Sequence, residues 1–130
     1  MVVGAVRLEL LVVGSRSLKQ KRGVVRSIVR RLSSRFAASV GEVGAQDSRE
    51  HAVIGVAIVG MARPIVEYKL ERLVLFFESL HLADLLDYQL DVVAFPPVDV
   101  GDVDSTDVRE FDEAFALAFG GPPLTSGKNE

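Results

Sequence analysis

The 130-residue chain contains no cysteine or tryptophan and only two histidines. Without cysteine it has neither disulfides nor thiol chemistry, and His51 and His81 stand outside any spacing that is typical of a metal site. A nucleophile elbow, a P-loop and the glycine fingerprint of dinucleotide-binding proteins are missing too. These absences favour a protein that is not an enzyme, and we expect no catalytic residue, no metal and no cofactor.

Two carboxylates, Glu42 and Asp47, come nearest to a catalytic or metal-binding pair, because they lie close together near the end of a predicted strand. The simpler interpretation is structural. In that interpretation Glu42 pairs with an arginine, and Asp47 caps a turn.

Long hydrophobic runs are also missing, and none approaches the roughly 20 residues that a membrane-spanning helix needs. The first ten residues lack the basic leader, apolar stretch and cleavage site of a secretory signal. With 48% hydrophobic and 25% charged residues, the chain has the composition of one globular domain. We therefore expect a cytoplasmic protein without a membrane partner.

The charge of the chain is unevenly distributed. Residues 1–95 carry thirteen basic and ten acidic side chains, whereas residues 96–130 carry two basic and eight acidic ones. We predict a basic domain over 1–95 and an acidic C-terminal extension over 96–130, with a short helix over 107–119. Two hypotheses for this extension are that its acids mask a basic surface, or that its phenylalanines cover an exposed sheet.

Positive charge is concentrated in one predicted helix over 17–36, which begins with a capping box of Ser17 and Gln20. Together with Arg16, this segment holds eight of the fifteen Lys and Arg residues and no acid. Its apolar side consists of Leu18, Val25, Ile28, Val29, Leu32 and Phe36. The opposite side predicts a phosphate-binding or nucleic-acid-binding surface formed by Arg16, Lys19, Lys21, Arg22, Arg26 and Arg30. A merely solvated basic face and an acidic partner within the chain are the alternatives.

The order of predicted elements is β-α-β-β-α-β, with strands over 2–13, 37–44, 51–60 and 84–95 and a second helix over 64–80. This order predicts an α+β, ferredoxin-like two-layer sandwich whose four-stranded antiparallel sheet has the order 4-1-3-2. In the last strand, Leu86, Tyr88, Leu90, Val92 and Ala94 are expected on one side. Arg7 in the first strand is expected to face Asp87 or Asp91.

Two function classes remain open. The first and third strands contain no Phe, Tyr or Trp, so bases are not expected to stack on the sheet, and any RNA should be held through its phosphates by the first helix. The third strand is apolar on both sides, so the open side of the sheet is expected to expose apolar surface that favours association. The alternative is thus a homo-oligomeric protein-interaction module, in which this side packs against a second copy as a homodimer.

The stretch from Gly14 to Arg22 contains Arg16-Ser17-Leu18-Lys19 followed by Lys21-Arg22, and it resembles the "RSLK-KR" signature of the bacterial YlxP-like proteins. Glu42-Val43 with Gln46-Asp47 is similar to the "AEV…QD" segment of that family, and the resemblance covers residues 2–92. Ser48 stands where the family often has an aromatic residue. The resemblance implies a ferredoxin-like fold and a cytoplasmic protein of uncharacterised role. Genes of the family often lie beside translation-initiation and ribosome-maturation genes, which points to structured RNA or the small ribosomal subunit as a partner.

Overall fold

The alternation of apolar and polar residues produces six elements in the computed structural model, which describes residues 1–98. They are β1 (Val2–Leu11), α1 (Leu18–Phe36), β2 (Ser39–Gly44), β3 (His51–Gly60), α2 (Arg63–Leu80) and β4 (Asp84–Ala94). The strands form one antiparallel sheet of order β2-β3-β1-β4, which confirms the predicted 4-1-3-2 order and the ferredoxin-like α+β fold. Met1–Pro96 form one structural unit. The predicted helix over 107–119 lies outside the described residues.

Both helices pack on the same side of the sheet, and the core lies between the two layers. Every second residue of β1 and β3 is buried there, because the side chains of a strand alternate between its two faces. Each fully buried aliphatic side chain contributes about 1.5–3 kcal/mol to stability. The core side chains from α1 and α2 are Val25, Ile28, Leu32, Val66, Leu70, Leu73, Val74 and Phe77. Ile65, in the first turn of α2, is 54% exposed.

Two glycines let α2 approach the sheet closely. A Cβ atom on Gly4 would collide with Cγ1 of Val66 and would lie 2.7 Å from Cδ1 of Leu70. A Cβ atom on Gly60 would lie 2.6 Å from Cγ2 of Val66. The first turns of α2 therefore rest on backbone instead of side chains.

An irregularity in β4 changes the predicted side-chain directions. Glu9 pairs with Asp87 but Leu10 pairs with Leu85, so Leu86 is an extra residue in the ladder. Such a bulge shifts the alternation by one residue. Leu85 consequently packs against the core, and Leu86 is 51% exposed, contrary to the prediction for this residue.

The predicted partners of Arg7 are also wrong. Arg7 lies opposite Gln89 in the sheet, and its Nη2 donates to Oε1 of Gln89 at 3.1 Å. A second contact, 3.6 Å long, joins Nη2 to Oε1 of Glu9 on the same strand. Because the register places Asp87 opposite Glu9 and Asp91 opposite Ala5, neither aspartate faces the guanidinium directly.

Candidate nucleic-acid interface

The start of α1 is fixed by side chains that satisfy free backbone N–H groups. Ser17 is the N-cap in an extended conformation, and its Oγ accepts a hydrogen bond from the amide of Gln20 at 3.1 Å. Oε1 of Gln20 reaches back and accepts from the amide of Arg16 at 2.7 Å, one residue earlier than in the usual capping box. The predicted cap is thereby confirmed, and the backbone of Arg16 is anchored beside the first helical turn.

Five of the six predicted phosphate-binding residues are exposed, and we call them the basic surface: Arg16, Lys19, Arg22, Arg26 and Arg30. From Lys19 to Arg30 the surface extends about 16 Å along the helix, at 1.5 Å per residue. The ion pairs within residues 1–98 are Arg7–Glu9 and Lys21–Glu42, and neither involves these five side chains. The surface therefore presents uncompensated positive charge within the described part of the chain.

Two further arginines of α1, absent from the predicted set, are exposed as well. Nε of Arg31 donates to Oγ of Ser27 at 3.2 Å. The guanidinium of Arg35 lies 4.8 Å from the ring centre of Phe76, a cation–π arrangement that ties the last turn of α1 to α2. Both already have partners within the fold, so we leave them out of the basic surface.

Lys21, the sixth predicted residue, is fully buried, and its assignment to a phosphate-binding surface was wrong. Its Nζ donates to the carbonyl oxygens of Ala45 at 2.7 Å, His51 at 3.1 Å and Gln46 at 3.4 Å. Oε2 of Glu42 lies 3.4 Å from the same nitrogen. These groups replace water around the ammonium, so Lys21 is not available to an external phosphate.

Helical spacing explains why Lys21 turns inward. It stands three residues after Leu18 and four before Val25, on the same side as the apolar residues of α1. This periodicity was the signal in the sequence that could have identified it. The expected arginine partner of Glu42 is likewise corrected, because the partner is Lys21.

Residues 45–50, the β2–β3 loop, are held against the start of α1 by Lys21. The amide of Val12 also donates to the carbonyl oxygen of Glu50 at 2.7 Å. Within the loop, Oγ of Ser48 accepts from the amides of Glu50 at 3.4 Å and His51 at 3.0 Å, so Ser48 caps the turn in the way expected of Asp47. The two segments that carry the YlxP-like resemblance are thus brought together by one side chain.

A family described as "Protein of unknown function (DUF503)" matches residues 3–90 of this sequence. The chain belongs to this family. The matched DUF503 region includes every strand and helix residue from Val3 to Leu90, together with the basic surface and the Lys21 contacts. It ends before the acidic extension.

A bacterial relative confirms the YlxP-like resemblance. The Bacillus subtilis (strain 168) "Uncharacterized protein YlxP" is 32% identical over 78 residues, which is 60% of this chain and 85% of the YlxP chain. In the region that the structure describes, neither helix of this DUF503 protein is long and apolar enough to cross a membrane.

Proposed function

We propose that this protein is a cytoplasmic, non-catalytic RNA-binding protein that contacts structured RNA, first of all that of the small ribosomal subunit, through the basic surface of α1. The observation that carries the proposal is that four exposed cations of α1, and Arg16 just before its N-cap, have no carboxylate partner among residues 1–98. Phosphate oxygens are the ligands that arginine and lysine bind by charge and hydrogen bonding.

The positive charges of the basic surface lower the stability of α1. Arg22, Arg26 and Arg30 follow one another at i and i+4, where like charges destabilise a helix by a few tenths of a kcal/mol per pair. Lys19 stands in the first turn, where a cation opposes the helix dipole. A phosphate backbone would offset both costs, which supports a binding role.

The side chains of the described strands indicate which part of the domain contacts RNA. β1 and β3 carry no aromatic side chain on which a base could stack, and the side of the sheet away from the helices carries Glu9, Asp87 and Asp91. RNA contact is therefore assigned to the helix layer and to phosphates. Contacts of this kind depend on RNA shape more than on base sequence. The translation-related gene context that the YlxP-like resemblance implies makes ribosomal RNA the first target to test.

A charge-reversal variant tests the proposal. R22E/R26E/R30E is expected to lower the affinity for small ribosomal subunits and for a structured RNA roughly 100-fold at low salt. If all five cations contact phosphates, the log affinity of the unaltered protein falls with log salt at a slope of about −3.5 to −4.5. The variant should reduce this slope by about 2 to 3. Fluorescence anisotropy across a salt series measures both quantities.

A matched control separates this surface from general charge effects. R49E/R63E/K69E changes the net charge by the same amount at three exposed cations outside α1. It should lose much less affinity and keep most of the salt slope. Equal losses of affinity in both variants would show that binding depends only on the overall charge of the protein. If the unaltered protein showed no detectable binding at low salt, the RNA proposal would be wrong.

A further inference from the structure

The open side of the sheet, which faces away from both helices, has an apolar end. Val93, Val3 and Val59 lie side by side across β4, β1 and β3. Val93 is 52% and Val59 67% exposed. Just beyond this valine row, the amide of Phe95 donates to the carbonyl oxygen of Met1 at 2.8 Å, which continues the pairing by one residue.

Three large side chains extend the apolar end beyond the valine row. Phe95 is 48%, Met1 59% and Met61 93% exposed within the described structure. Met1, Val59, Gly60 and Met61 line an open depression of about 500 Å³. Contiguous exposed apolar side chains are a feature of protein interaction sites.

The other end of the open side is charged. Along β1 the outward residues after Val3 are Ala5, Arg7 and Glu9, and on β4 they are Asp91, Gln89 and Asp87. One cation therefore stands among three carboxylates. This distribution disfavours nucleic acid as the occupant, because carboxylates repel phosphates.

We propose that the apolar end binds a second copy of this chain, as a homodimer with the two sheets face to face. A two-fold axis that lies in the interface and runs parallel to the valine row, midway between this row and the Phe95–Met1 pair, overlaps the two apolar ends only. The charged ends then project on opposite sides of the interface, so no carboxylate of one copy meets a carboxylate of the other. The face is thus complementary to itself, as a two-fold interface requires.

The amino acids of the apolar end suit such an interface. Methionine is flexible and fills irregular gaps, so Met61 of each copy has a depression of the facing copy to enter. Apolar residues are at the centre and charged residues at the rim, which is the usual composition of an interface between copies. In this arrangement both helix layers point outward, so the dimer is independent of RNA binding by the basic surface.

The test is the mass of the full chain in solution. The chain has a mass of 14.1 kDa, and sedimentation velocity should show a dimer. V59D places a carboxylate in the apolar end and should raise the dimer dissociation constant about 100-fold or more. V43D is the matched control, because Val43 is also exposed on this side, at 62%, but packs over Gly55 near the charged end. The V43D chain should remain a dimer.

A cysteine variant provides a second measurement that does not depend on weakening the interface. Because the chain has no cysteine, the thiol of V59C is unique. It should be protected from a thiol reagent at concentrations where the dimer forms and become reactive on dilution. A monomer with a reactive thiol would show that the face is free, and a monomer with a protected thiol would show that another part of the chain covers it. Either result overturns the proposal.

Discussion

Replacement of Lys21 by methionine is expected to lower the free energy of unfolding by about 3 kcal/mol, the lower end of the cost of breaking a buried ion pair. The reason is that Nζ is the donor to three backbone carbonyls and the cation beside Glu42. Oε2 of Glu42 is buried and accepts no hydrogen bond from residues 1–98, so it depends on the charge of Lys21. Urea denaturation followed by circular dichroism measures the loss.

Lys19 supplies the matched control. It precedes Lys21 by two residues in the same helix and is exposed, so K19M should change stability by less than about 0.5 kcal/mol. The double variant K21M/E42L should be more stable than K21M alone, because an apolar pair leaves no buried charge without a partner. If K21M and K19M were equally stable, the contacts around Nζ would contribute nothing, and the structural role assigned to Lys21 would be wrong.

Replacement of Gly4 by alanine is the second change with a large expected effect. The added methyl group collides with Val66 and lies 2.7 Å from Leu70, so α2 must move away from β1 or change its side-chain conformations. Overpacking of this kind costs about 1–3 kcal/mol, and two simultaneous clashes place the expected loss at about 2–3 kcal/mol. The midpoint of thermal or urea unfolding reports it.

Gly41 is the corresponding control, since it lies in β2 and a Cβ atom there would meet nothing within 4 Å. G41A should be neutral or slightly stabilising, because alanine restricts the unfolded chain more than glycine does. Shortening Val66 should relieve part of the strain, so V66A should cost less in the G4A background than in the unaltered protein. Equal stability of G4A and G41A would contradict the close approach of α2 to the sheet.

The fold was largely predictable, because the elements that define it carry strong local signals. β3 begins at His51 and ends at Gly60 as predicted, since a nearly continuous apolar run of this length is typical of a central strand. Ser17 and Gln20 located the start of α1. The bulge at Leu86 was not predictable, because a bulge depends on how two strands pair and not on the local pattern of either one.

The exposure of the residues assigned to the candidate site was predictable except at one residue. Charge and spacing identified Arg16, Lys19, Arg22, Arg26 and Arg30 as outward-facing cations, and their exposure agrees with this. Lys21 was grouped with them by charge, although its spacing placed it on the apolar side of the helix. A lysine at such a position is stable only if the fold provides oxygen atoms for it, and those come from residues 42–51, which are distant in the sequence.

Because Lys21 is buried, two lysines that stand only two positions apart, Lys19 and Lys21, differ greatly in their access to small reagents. An amine-reactive reagent meets the side chain of Lys19 directly, but it reaches Lys21 only when the β2–β3 loop separates from α1. Such local openings require less free energy than global unfolding, so the open state is populated more often. The rate at which Lys21 is modified therefore reports how often this loop opens. The rate at which Lys19 is modified is the reference for an accessible amine.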